Sequence, residues 1–317
     1  MRRVEAISKF DLAQIETLVL AGGGNRCWWQ AGVLSHLCER SWSLPIQLVG
    51  TSAGAAVAAA CITQGLRTAL AACLRLYSTN DRIFDWHGLK RLKLRFAHQH
   101  IYPAWIESFI NTDTFVTLRS SRTKLRVALA RPGRILGLAG SVVAGTLAYL
   151  VDKKVSRSLH PRLPKLLGLR QDFVDIHHCS DIAEVQALLA AAAAAPPFMR
   201  SVRIGGGPAI DAGYADSASI HEQSRAERFK TLVLLTRHYP NLPRFFLCDQ
   251  RMYWQPSKRV PVSTWDFGRR HDRGGARGAG GWRGGKSRGR HASFVQRSRR
   301  RLLRVQRRGR GRARADA

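Results

Sequence analysis

Acidic residues are scarce in this chain of 317 residues. Its 21 Asp and Glu stand against 52 Lys and Arg, so its formal net charge is +31. Residues 268–317 carry +16 of that charge and the rest of the chain carries +15. A moderately basic body suits an anionic membrane surface or an acidic lipid.

Paired cysteines are also missing. The six cysteines include no C-x-x-C pair and no zinc-ligand spacing, which is typical of small core residues in a reducing compartment. His177-His178-Cys179 has no second pair of ligands, so we expect no metal and no cofactor. No apolar stretch of signal-peptide length occurs near the start of the sequence. The sequence therefore predicts a cytoplasmic protein.

One long uncharged run is present, from Ile135 to Val151, with basic residues on both sides. Its seventeen residues are at the lower limit for crossing a bilayer, and three glycines weaken it further. We expect a helix that docks on lipid, as a peripheral membrane contact, rather than one that spans it.

Residues 268–317 have almost no aliphatic side chains and consist largely of arginine and glycine. Such a segment cannot bury a core, so we expect it to be disordered. One interpretation is an arm that binds RNA or a membrane. The favoured one is out-of-frame translation of a GC-rich gene, because the composition changes abruptly at Phe267-Gly268. Nucleic acid is therefore an unlikely partner.

The most informative motif is Gly50-Thr51-Ser52-Ala53-Gly54. It follows the strand-like run Ile46–Val49 and precedes the helix-like run Ala55–Ile62. Strand, sharp turn and helix, with a serine at the apex, predict a nucleophile elbow with Ser52 as the nucleophile. Gly50 and Gly54 leave room for a strained backbone and close packing of helix on strand.

A second glycine-rich turn, Gly22-Gly23-Gly24-Asn25-Arg26, joins the strand-like run Thr17–Ala21 to a helical pattern from Trp28 to Glu39. Backbone N–H groups in such a loop can hold an anion. An oxyanion hole that serves Ser52 is the favoured interpretation. A dinucleotide site would need a third glycine where Cys27 stands.

The third motif is Asp211-Ala212-Gly213, after the strand-like run Ser201–Ile204 and a glycine turn. An Asp in such a turn is held stiffly, although Asp-x-Gly is common on its own. Elsewhere, helical and strand-like patterns alternate, with strands predicted at Leu125–Ala130 and Thr231–Thr236. Asp181-Ile182-Ala183-Glu184 predicts the capped start of an alanine-rich helix that runs to Ala195. This alternation predicts an α/β fold with a mostly parallel sheet and helices on both faces.

In order and spacing, the three motifs resemble those of the patatin-like phospholipases. The resemblance covers about residues 16–267 as one domain, after a lead of residues 1–15. It implies a three-layer α/β/α fold and lipid acyl hydrolysis by a Ser52–Asp211 dyad, with phospholipid or another acyl lipid as substrate. Residues Gly22 to Arg26, with Ala53, would form the oxyanion and substrate site. Gly50, Gly54 and Gly213 would shape the turns.

Two residues depart from the family pattern. Cys27 replaces a usual glycine after the oxyanion loop and would narrow it, and Ala212 replaces a usual glycine and would shift the Asp backbone. A Ser-His-Asp esterase is the main alternative, since His221 and His238 follow Asp211 in the chain. Against it, only one clear strand precedes Ile46–Val49, whereas an α/β-hydrolase builds several strands before its elbow.

Overall fold

The computed structural model describes residues 4–261, except for residues 9, 64, 81–83, 86–94, 135, 152–158 and 197. The predicted tail at 268–317 and the boundary at Phe267-Gly268 lie outside the described residues. Ile135 and Pro197 do so as well.

The described strands follow the predicted alternation with helices. They are β1 (Val4–Ala6), β2 (Thr17–Leu20), β3 (Gln47–Thr51), β4 (Phe84–Asp85), β5 (Arg95–Phe96), β6 (Lys124–Arg131), β7 (Arg170–Asp175), β8 (Val202–Ile204), β9 (Gly207–Asp211), β10 (Thr231–Leu234), β11 (Phe245–Cys248) and β12 (Arg251–Trp254).

The described α-helices vary from one turn to four. They are α1 (Cys27–Cys38), α2 (Ala53–Ile62), α3 (Leu66–Ser78), α4 (His98–Glu107), α5 (Thr112–Ser120), α6 (Gly137–Val151), α7 (Leu163–Leu166), α8 (Ile182–Ala192) and α9 (Arg225–Phe229).

The main sheet has the strand order β1-β11-β12-β10-β2-β3-β6-β9-β8, and β7 also pairs with β6. Its centre is parallel, because β10 pairs in parallel with β12 and β2, and β3 pairs in parallel with β2 and β6. Both flanks are antiparallel, at β11–β12 on one side and β8–β9 on the other. The sheet is thus mixed, with the predicted parallel arrangement at its centre.

Both faces of the central strands are buried. Leu18 and Leu20 of β2 belong to a large core with α1, α2, α3, α4 and α8, while Val19 between them packs into a second core on the opposite face. Successive side chains of a strand point to opposite faces, so β2 separates the two cores. This confirms the three-layer α/β/α arrangement.

Helix α2 lies in the middle of the larger core. All ten of its residues are buried, and most of them are alanines. Small side chains let the helix axis approach the sheet closely, so the start of α2 is held tightly against the end of β3.

The predicted cap of α8 is confirmed. The Asp181 carboxylate accepts the Glu184 N–H at 2.8 Å, and the Glu184 carboxylate accepts the Ser180 N–H at 2.6 Å. The helix ends at Ala192, three residues before the predicted end. Beyond the helix end, the Ala194 carbonyl accepts the N–H of Asp211 at 2.8 Å, and Pro196, which has no N–H to donate, follows two residues later.

The expectation of one strand before the elbow is wrong. Val4–Ala6, in the predicted lead, forms the edge strand β1 and pairs antiparallel with β11. Three exposed residues are too short a run to predict a strand from their pattern. The uncharged run at 135–151 contains α6, and none of the described helices is long and apolar enough to cross a membrane.

Two glycine substitutions should have opposite effects on stability. A Cβ on Gly50 would lie 2.3 Å from the Cα of Ala55, which is backbone and cannot give way. Gly50→Ala should therefore lower the free energy of unfolding by more than about 3 kcal/mol. Gly32, exposed within α1, has nothing within 4 Å of such an atom. Gly32→Ala should raise stability by about 0.5–1 kcal/mol.

Urea unfolding of both variants checks this contrast. Equal stabilities for Gly50→Ala and Gly32→Ala would contradict the proposed close contact between β3 and α2.

Candidate active site

Ser52 occupies the turn between β3 and α2. Its backbone has φ 55° and ψ −135°, a conformation that residues with a side chain rarely adopt. The end of β2 leaves no space at Gly54, because a Cβ on Gly54 would lie 2.6 Å from the Leu20 carbonyl oxygen. The motif therefore has the strained strand–turn–helix geometry of a nucleophile elbow.

The glycine-rich loop runs alongside the serine. A Cβ on Gly22 would lie 3.0 Å from the Cβ of Ser52, and one on Gly23 would lie 2.4 Å from the hydroxyl of Thr236. Gly24 has φ 54°, in the left-handed region that favours glycine. Each glycine thus has its own steric reason to be there.

Hydrogen bonds hold the loop at several backbone groups. The Gly22 N–H donates to the Ser217 carbonyl at 2.7 Å, and the Gly22 carbonyl accepts the Thr236 hydroxyl at 2.6 Å. The Gly23 carbonyl accepts both the backbone N–H and the Nε of Arg26, each at 3.2 Å. Arg26 therefore braces the loop.

These hydrogen bonds show which of the predicted anion-binding N–H groups are already occupied and which are available. The N–H of Gly22 already has an acceptor, so Gly22 has a steric role and does not offer a donor. Within the described part of the chain, the N–H groups of Gly23 and Gly24 donate to no other segment. They are available to a ligand, whereas that of Gly22 is not.

Strand pairing in the sheet positions Asp211 relative to Ser52. It is the last residue of β9, where it pairs with Leu129 of β6, and β6 in turn pairs with β3, which ends at the elbow. The carboxylate accepts the Gly213 N–H at 2.7 Å, and a Cβ on Gly213 would lie 3.0 Å from the same oxygen. The turn fixes the carboxylate as predicted from the motif.

The surroundings of Asp211 change its acidity. Burial raises the pKa of the carboxyl from 3.8 to about 6, against the opposing effect of hydrogen bonds with the Ser52 side chain and the Gly213 N–H. The carboxylate is therefore a stronger base than an exposed Asp. It is still largely ionised at neutral pH.

The two departures from the family pattern are accommodated. Cys27 begins α1, is buried, and directs its Sγ to the Ala21 carbonyl at 3.5 Å, so it points into the core. Burial raises the pKa of this thiol to about 12. Ala212 is fully buried and is not among the residues with positive φ, so its backbone does not require glycine.

The histidines considered in the sequence lie elsewhere. His238 uses Nδ1 to contact the Pro256 carbonyl at 2.9 Å, and the ring of His221 packs on Phe173. His177 hydrogen-bonds to Asp175 at 3.1 Å. Across the described residues, no three His, Cys, Asp or Glu side chains form a group that could hold a metal ion.

Sequence reasoning missed Thr236 and Ser217, which hold the glycine loop. Thr236 was included only as the end of a predicted strand. A usable signal was available, because a polar residue just after a buried parallel strand lies at the sheet edge where ligands bind in α/β folds.

A strained serine, a buried carboxylate that interacts with its side chain and a glycine-rich loop alongside are the parts that acyl transfer through a serine requires. The family model for patatin-like phospholipases matches residues 18–222, and the chain belongs to that family. No curated protein matches the chain significantly. Members of the family are lipid acyl hydrolases, and their substrates are lipids.

The raised pKa of Asp211 predicts that this carboxylate costs stability. Protonation favours the folded state, since the folded pKa exceeds the unfolded one. This stabilisation is complete below about pH 3.8 and is lost as pH rises through about 6. At pH 8, Asp211→Asn should raise the free energy of unfolding by on the order of 2 kcal/mol. The gain should shrink towards pH 4.

Denaturant unfolding at pH 8 and pH 4 measures the difference. Asp216 is a matched control, since it also accepts an N–H two residues ahead, from Ala218. Asp216→Asn should destabilise the fold at pH 8, because it weakens the 2.7 Å hydrogen bond between the Asp216 carboxylate and Nδ1 of His160. A loss of stability in Asp211→Asn at pH 8 would contradict the prediction.

Proposed function

We propose that the chain is a phospholipase A-like serine acyl hydrolase, with Ser52 as nucleophile and Asp211 as general base. One observation carries the proposal: the buried Asp211 carboxyl, whose pKa is raised to about 6, interacts with the side chain of the serine in the strained elbow. A base with a pKa near the working pH is suited to proton transfer. No histidine takes part.

The reaction proceeds in two stages. The Ser52 hydroxyl attacks the acyl carbonyl while its proton moves to the Asp211 carboxylate, and a tetrahedral intermediate forms. The intermediate collapses, the alcohol part leaves with that proton, and Ser52 keeps the acyl group. Water then attacks the acyl-enzyme while its proton moves to Asp211. Collapse of this second intermediate releases the fatty acid and returns the proton from Asp211 to the Ser52 oxygen.

The oxyanion of each intermediate is held by backbone N–H groups of Gly23, Gly24 and Asn25, together with that of Ala53. The first three lie on the loop that packs against Ser52, and Ala53 begins α2, where the helix dipole favours negative charge. Arg26 supports this function indirectly by bracing the Gly23 carbonyl.

A lipid-docking surface on α6 and α7 completes the proposal. Its exposed apolar side chains are Val143, Leu147, Leu150, Val151, Leu163 and Leu166. Arg134, Arg162, Lys165 and Arg170 lie in or close to these two helices in the chain and are exposed. Exposed apolar side chains together with basic ones fit the surface of an anionic phospholipid membrane.

This surface is connected to the catalytic turn. Gly145 of α6 packs so closely on Tyr214 that a Cβ would lie 2.9 Å from its ring, and Tyr214 is three residues after Asp211. The Tyr214 hydroxyl donates to the Pro196 carbonyl at 2.9 Å. A membrane bound at α6 is therefore close to the proposed site.

Variants of the dyad test the catalytic assignment. Ser52→Ala and Asp211→Asn should each lower kcat for a short-chain nitrophenyl ester by at least about 10³-fold, and the double variant should be little worse than either one. Wild-type kcat/KM should fall as pH drops below about 6, where Asp211 is protonated. A fluorophosphonate probe should label Ser52, as mapped by mass spectrometry.

His221→Ala and His238→Ala are the controls, and each should keep most of the activity. A folded histidine variant with a loss of several orders of magnitude would transfer the assignment to a Ser-His-Asp triad. Full activity in Asp211→Asn would overturn the dyad.

Acidic substitutions on the docking surface test membrane contact. Leu147→Asp and Leu166→Asp should each weaken binding to anionic phosphatidylglycerol vesicles by about tenfold, since burying a leucine is worth roughly 1.5–3 kcal/mol. Hydrolysis of the soluble nitrophenyl ester should not change. Val116, which is 64 % exposed on α5, provides the control Val116→Asp. If all three variants bind vesicles like wild type, α6 and α7 do not form the lipid contact.

A further inference from the structure

We infer that Thr236 is a positioning residue for the oxyanion loop and acts through the peptide bond between Gly22 and Gly23. The inference rests on the proposed function, because it concerns the same donor groups. Thr236 lies beyond the residues that the family model matches, 18–222. It lies just after β10, beside the loop that follows the carboxyl end of β2.

The contact between Thr236 and the loop is close on two sides. The hydroxyl donates to the Gly22 carbonyl at 2.6 Å, and a Cβ on Gly23 would lie 2.8 Å from the Cβ of Thr236. The side chain is 3 % exposed. Gly23 therefore lies directly against the threonine, with no solvent between them.

Peptide geometry transmits this contact to the site. The Gly22 C=O and the Gly23 N–H belong to one planar trans peptide and point in opposite directions. A hydroxyl that fixes the carbonyl therefore fixes the direction of the N–H. That N–H is the first of the proposed oxyanion donors.

Ala21 and the N–H of Gly22, which precede this peptide, are held by hydrogen bonds that do not involve Thr236. The Ala21 N–H donates to the Leu234 carbonyl at 3.1 Å, and the Gln30 side chain donates to the carbonyls of both Ala21 and Leu234. The Gly22 N–H is bonded to Ser217. With these groups anchored, rotation of the next peptide plane is the motion that the Thr236 hydroxyl opposes.

Loss of the hydroxyl would leave the buried Gly22 carbonyl without this partner, which favours rotation of the peptide towards another donor. The rotation would turn the Gly23 N–H away from the developing oxyanion. Because that negative charge forms only in the transition state, kcat should fall while KM changes little.

Three variants separate positioning from folding. Thr236→Val has nearly the same shape but no donor, and it should lower kcat for the nitrophenyl ester by about 10–100-fold with KM within about threefold, somewhat less than outright loss of an oxyanion donor. Thr236→Ser keeps the donor and should restore kcat to within about threefold of wild type.

Thr231→Val is the matched control at the opposite end of β10. Thr231 is equally buried, and its hydroxyl donates to the Glu227 carbonyl at 2.7 Å and accepts from Gln223 at 2.8 Å. This variant should lose stability and keep wild-type kcat. If Thr236→Val does not fold, Thr236→Ala removes the same donor and carries the same expectation.

A readout independent of catalysis keeps the two proposals separate. In protein labelled with ¹⁵N-glycine, the Gly23 amide signal should shift in Thr236→Val and stay in place in Thr231→Val. An inactive wild type would overturn the proposed function, and the Gly23 signal would then decide the role of Thr236. An unshifted Gly23 amide in Thr236→Val, or a kcat equal to that of the wild type, would overturn the inference.

Discussion

The closeness of β3 to α2 is the constraint on which the rest of the site depends. No side chain fits at Gly50 or Gly54, because the Cα of Ala55 and the Leu20 carbonyl occupy that space. A chain that must turn so sharply puts its apex residue at positive φ, and that residue is Ser52. The small side chains of the alanine-rich α2 allow this approach. All ten residues of α2 are buried, and this packing holds the strained backbone of Ser52 in place.

The burial of Asp211 lowers the stability of the folded protein and favours the proposed chemistry. Desolvation makes its ionised form unfavourable in the folded protein, and the same desolvation raises its basicity to the range useful for proton transfer. Among the residues that the structure describes, the Ser52 side chain and the Gly213 N–H are the groups that lower its pKa. A larger number of donors would stabilise the anion and make it a poorer base.

The sequence was sufficient wherever the determinants are local. The strand–glycine–helix pattern around Ser52, the glycine loop and the cap at Asp181 depend on residues within a few positions of one another. The family match and the three-layer fold agree with that reading. The roles of the individual site residues remain proposals.

Contacts that depend on the order of strands in the sheet could not be predicted from local sequence patterns. Thr236 and Gly22 are 214 residues apart, and they meet because β10 inserts between β2 and β12. Likewise, the Ala194 carbonyl just beyond α8 accepts the N–H of Asp211, which is distant in the sequence. The short strand β1 has no hydrophobic pattern and is defined by its pairing with β11. Local patterns carry no information about such partners.

The position of β10 in the chain also determines when the site can assemble during synthesis. The elbow and the glycine loop lie in the first sixth of the chain, but β2 has β10 as its neighbour on the side away from β3. During synthesis, Ser52 is made long before the strand that closes this side of the sheet. A nascent chain that has not yet reached residue 231 lacks that neighbour and the donor for the Gly22 carbonyl. Vectorial synthesis thus delays assembly of the loop until most of the domain has been translated.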